Sequence, residues 1–75
     1  MKIEVLGTGC ADCIKLYENT KKALDESSKE GEVVKVEGIS AMLKYGILSP
    51  PAIVIDGQVK SSGQLLTVAE IKEML

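Results

Sequence analysis

The sequence predicts an α/β fold of order βαβ-α-ββα, a four-stranded mixed sheet with helices on both faces, and three features predict it. A short Ile/Val-rich run, Lys2 to Leu6, closes on Gly7-Thr8-Gly9. A stretch with apolar residues at helical spacing follows it. The second half then carries an Asp-Gly turn between two short extended runs, ahead of a capped closing helix. At 75 residues the chain makes one domain, 1–75, because dividing it would leave neither half enough apolar surface to exclude water.

The first strand ends just before Cys10. From Cys10 to about Lys29, Cys13, Leu16, Tyr17, Thr20 and Leu24 recur at the spacing of one buried helical face, with Asp12, Lys15, Glu18, Lys22 and Glu26 opposite. Gly31 follows, where a left-handed residue commonly ends a helix. Val33, Val34 and Val36 predict a second strand, and a helical crossover of this length joins parallel neighbours. Ser40 to Tyr45 predicts a short helix capped by Ser40 and stopped by Gly46. Ile47-Leu48-Ser49-Pro50-Pro51 is then irregular, since neither helix nor strand runs through paired prolines. Ala52 to Ile55, Asp56-Gly57 and Gln58 to Ser61 form a hairpin, and Thr67 with Glu70 forms a capping box for a last helix through Leu75.

Composition narrows the function. Hydrophobic residues make up 45% of the chain, but Trp and Phe are absent and there are 2 Tyr, which argues against base stacking. A net charge of -2 provides no electrostatic footprint for nucleic acid or anionic lipid, so neither is expected as a partner. No signal-peptide core or membrane span is legible, which predicts a cytoplasmic protein. Histidine is missing altogether, removing Ser/His and Cys/His pairs and histidine metal sites.

The remaining chemistry centres on Cys10 and Cys13. Three residues apart in a first helical turn, their sulfurs share a face and lie close enough to bridge. At the N-cap, Cys10 lies over unpaired N–H groups and the positive end of the helix dipole, which favour a thiolate and so a nucleophile. Cys13 faces the core and is the expected resolving thiol, attacking the mixed disulfide that Cys10 forms. One alternative is a local staple, but so short a loop removes less unfolded-state entropy than the roughly 3 kcal/mol of a 15-residue loop, and structural disulfides are rare in a cytosol. The other is a metal site, for which two thiolates leave a tetrahedral shell half empty. No metal is expected within this chain.

The strand leading to Gly7-Thr8-Gly9-Cys10-Ala11-Asp12-Cys13, the segment Tyr45-Gly46-Ile47 followed by Pro51-Ala52, the hairpin and Gly63 beyond it together resemble the thioredoxin superfamily. Within it, the chain is similar over essentially its whole length to the very small thioredoxin-like or glutaredoxin-like redox-active disulfide proteins. The resemblance implies a cis Pro51 packed beside the disulfide, and a Gly63 that lets a substrate backbone approach. It implies no cofactor beyond the Cys10–Cys13 disulfide, disulfide-bearing proteins as substrates, an electron donor that is a thioredoxin-reductase-like protein or a low-molecular-weight thiol, and a monomer. In those families the residue before the cis proline pairs with the substrate backbone through both its N–H and its C=O. Pro50 has no N–H, which implies weaker backbone pairing and leaves recognition to apolar contacts at Ile14 and Leu48.

The chain also departs from the thioredoxin pattern. Gly9 stands where thioredoxin has an aromatic residue, and Ala11-Asp12 where it has Gly-Pro. Asp12 is expected to serve the helix dipole, paired with Lys15 one turn on, and Glu4 to be a solvated strand residue rather than a proton acceptor for Cys13. Met42 and Tyr45 are expected in or near the core. The main rival is a metallochaperone with the same Cys-x-x-Cys after its first strand. That fold has the order βαββαβ and ends in a strand, whereas this chain ends in the amphipathic run Val68, Ile71, Met74 and Leu75.

Overall fold

Side chains alternate across a strand, and in this chain both sides of the central strands are apolar, so the sheet must be covered twice. The computed structural model describes residues 1–75 and shows how. Its elements are β1 (Lys2–Gly7), α1 (Ala11–Ser27), β2 (Glu32–Glu37), α2 (Ile39–Lys44), β3 (Ala52–Ile55), β4 (Gln58–Ser62) and α3 (Val68–Met74). The four strands lie in the order β2-β1-β3-β4. β1 runs parallel to β2 and antiparallel to β3, and β3 is antiparallel to β4.

Ile3 and Val5 of β1 and Ile53 and Ile55 of β3 form one buried cluster with Leu16 and Ala23 of α1 and Ile71 of α3. Leu6, Ala52 and Val54 point to the other face and pack with Met42 and Ile47, against which Tyr45 is half-buried. α1 and α3 therefore cover one face and α2 the other. Each fully buried Ile or Leu contributes about 1.5–3 kcal/mol of transfer free energy. The buried polar residue Thr20 donates its hydroxyl to Leu16 O at 2.7 Å, and no buried side-chain polar atom is left without a partner.

Two helix ends differ from the sequence reading. α1 stops at Ser27, and Ser28, not Gly31, takes the left-handed conformation at φ 58°. Gly31 is needed for space: a Cβ there would lie 2.7 Å from Met1 O, the same carbonyl that accepts the Glu32 N–H at 3.0 Å. α2 starts at Ile39, with Gly38 rather than Ser40 as N-cap and no side-chain cap bond. The chain leaves β2 through φ 113° at Gly38, a value glycine adopts at little cost, and that turn sets the start of the helix. The hairpin turns on Asp56 and Gly57 at φ 49° and 83°, the pair of positive values of a type I′ turn. The capping box of α3 is complete, Thr67 and Glu70 each bonding the other's backbone N–H.

Candidate active site at the Cys10–Cys13 disulfide

The active-site loop is built by β1 ending and α1 beginning within a few residues. Gly9 turns the chain at φ 83°, and Cys10 becomes the N-cap in an extended conformation. Its Sγ accepts the Cys13 N–H at 3.2 Å, using one of the N–H groups that a helix start leaves free. The two cysteines form a disulfide, with Cα atoms 5.0 Å apart. Cys10 is exposed, whereas Cys13 is 3% exposed.

The reason for that burial is Gly7. Odd-numbered residues of β1 face α1, and a Cβ on Gly7 would sit 2.5 Å from Cys13 Sγ. Beside the sulfur, a crevice with no room for a water molecule is lined by Val5, Gly7, Gly9, Cys13, Lys35 and Glu37. Lys35 and Glu37, two residues apart on β2, are ion-paired at 3.4 Å.

Of the other residues singled out in the sequence, Leu48, Pro50, Pro51 and Gly63 come from the segments before β3 and after β4, and Ile14 from α1. Leu6 pairs with Ala52, so Pro51 follows next to Gly7 in the antiparallel register. The Pro50–Pro51 peptide bond is cis. Pro51 is buried, and its carbonyl accepts the Gly63 N–H at 2.8 Å. Gly63 has φ 73°, and a Cβ there would lie 3.4 Å from Ser49 Cβ, so the segment after β4 lies against the segment before β3. Pro50 is half-buried. Ile14 in the first turn of α1 is 43% exposed and Leu48 is 91% exposed, so both are open to a partner.

Three charged residues depart from the expectation. Glu4 is only partly solvated: by alternation it lies half-buried on the α2 face, opposite the face on which α1 and Cys13 pack, and accepts the Tyr45 hydroxyl at 3.4 Å. Asp12 and Lys15 form no ion pair; the chain's two pairs are Lys35–Glu37 and Lys72–Glu26. Sequence reasoning also took Gly7 only as a turn residue and did not connect Lys35 and Glu37 with the site. The available signal was a glycine closing a strand just ahead of the Cys-x-x-Cys.

An α/β fold with a Cys-x-x-Cys disulfide at the strand-to-helix junction, ending in a helix, defines a class of thiol–disulfide domains and not the metallochaperone order. Comparison with known proteins agrees. The thioredoxin domain matches residues 1–75. The chain is 35% identical over 75 residues to a thioredoxin of Methanothermobacter thermautotrophicus, covering 100% of this chain and 97% of that one. It is 36% identical over 73 residues to a thioredoxin of Methanocaldococcus jannaschii, covering 97% of this chain and 84% of that one. The chain belongs to the thioredoxin family. Family membership and the Cys10–Cys13 pair together support thiol–disulfide oxidoreductase chemistry. No helix is long and apolar enough to cross a membrane.

Proposed function

We propose that this protein is a protein-disulfide reductase in which Cys10 attacks and Cys13 resolves. The observation that carries the reading is the unlike setting of the two sulfurs: one exposed at a helix N-cap and stabilised by a backbone N–H, the other buried one turn in. In the reduced protein, Cys10 thiolate attacks one sulfur of a substrate disulfide, forming a mixed disulfide and expelling the first substrate thiolate. Cys13, deprotonated, then attacks Cys10 Sγ, closing the Cys10–Cys13 disulfide and releasing the second thiolate. Two electrons pass to the substrate, and the two protons lost by the pair balance those taken up by the released thiols.

Pro51, Gly63, Pro50, Ile14 and Leu48 surround this chemistry in the proposal, the first three giving the substrate backbone room and the last two giving it apolar contact. The electrons return from a thioredoxin-reductase-like protein or a low-molecular-weight thiol, and the protein works as a monomer in the cytoplasm without a further cofactor.

The direct test is insulin reduction with dithiothreitol as electron source. The wild-type protein should accelerate precipitation of the reduced insulin chains, and Cys10→Ser should abolish the acceleration. Equal acceleration by Cys10→Ser and wild type would exclude this role.

A further inference from the structure

Gly7 ends β1 and is buried, and its φ is not among the chain's positive values. Backbone conformation therefore does not require glycine there. Space does, because an added Cβ would lie 2.5 Å from Cys13 Sγ and 2.8 Å from Cys13 Cβ, where nonbonded heavy atoms prefer about 3.5–4.0 Å. The obstacle is not the free end of a flexible side chain. In the oxidised protein Cys13 Sγ is bonded to Cys10 Sγ, and Cys10 is itself held as the N-cap of α1.

Reduction cuts that tether. Cys13 lies in the first turn of α1, with no complete helical turn before it to restrict its side chain, so the free thiol can change rotamer and move off residue 7. A side chain at position 7 thus presses on Cys13 Cβ, which the backbone fixes, in both forms, but meets Cys13 Sγ in its bonded position only in the disulfide form, so it costs that form more. We propose that Gly7 is a positioning residue that sets the redox poise of the Cys10–Cys13 pair. By leaving its side-chain space to Cys13, it keeps the disulfide low in free energy and so makes the reduced protein a better electron donor. This rests on the redox reading of the pair given above and adds a residue that touches only the resolving cysteine.

The test equilibrates wild type and Gly7→Ala with dithiothreitol and its cyclic disulfide, in the balanced exchange of one protein disulfide and one dithiol for one protein dithiol and one cyclic disulfide. The equilibrium constant for reducing the protein should rise at least about tenfold in Gly7→Ala, an upward shift in potential of at least about 30 mV for this two-electron couple. A constant within about twofold of wild type, or a shift the other way, overturns the proposal. Circular dichroism in urea on each redox form guards against a variant that does not fold. A fold lost in the oxidised variant and restored by dithiothreitol supports the proposal, whereas equal destabilisation of both forms assigns Gly7 to packing alone and overturns it. A wild-type pair that does not exchange with dithiothreitol defeats the redox reading itself, an outcome the wild-type arm identifies without reference to Gly7.

Discussion

Within one helical turn, Cys10 has the backbone N–H of Cys13 on its sulfur and solvent in front of it, while Cys13 is enclosed by β1 and α1. In the reduced protein near neutral pH, iodoacetamide should therefore modify Cys10 faster than Cys13 by on the order of tenfold; peptide mapping reads the ratio, and preferential labelling of Cys13 would reverse the assigned roles. Pro50 makes a second residue-scale prediction. Lacking an N–H, it leaves a substrate carbonyl at this position without a donor, a loss of roughly 1–3 kcal/mol. Pro50→Val restores the donor without touching either thiol, and mixed-disulfide formation with glutathione disulfide should quicken by about fivefold or more. An unchanged rate in a folded variant would show that the missing donor does not limit binding.

The elements most legible in the sequence are those whose signal is local and chemical. Asp56-Gly57 needs two positive φ values that few other residue pairs supply, and Thr67 with Glu70 completes its capping box from residues only three apart. Replacing Thr67 by Ala removes the cap acceptor for Glu70 N and should cost about 1 kcal/mol, read as a lower urea midpoint at unchanged slope. What sequence reasoning missed was set by distant contacts. Gly31 stands under Met1 O from the far end of β1, and α2 starts where the turn at Gly38 releases it rather than at the better capping residue Ser40. The same holds at the site. Cys10 and Cys13 are legible from their spacing, but the meaning of Gly7 depends on α1 folding back over β1, and the place of Glu4 on the α2 face depends on which side of the sheet each helix covers.

At the scale of the whole molecule, a thin core has to support an exposed reactive sulfur. Ile53 lies on a central strand, is 0% exposed and joins β3 to both α1 and α3. Ile53→Ala should cost about 2–5 kcal/mol, a large share of the roughly 5 kcal/mol available to so small a domain, and thermal unfolding followed by circular dichroism should show the variant partly unfolded at 37 °C. The sheet so held brings three backbone segments to one end: β1 before the disulfide, Pro50–Pro51 before β3, and Gly63 after β4. The division of labour between an attacking and a resolving sulfur at that end is tested most directly by trapping. Cys13→Ser and Cys10→Ser, each reduced, are mixed with a protein disulfide, quenched with acid and resolved on non-reducing gels with mass spectrometry. Cys13→Ser should accumulate a mixed disulfide through Cys10 while Cys10→Ser accumulates little; the reverse pattern, or no covalent complex with either, would contradict it.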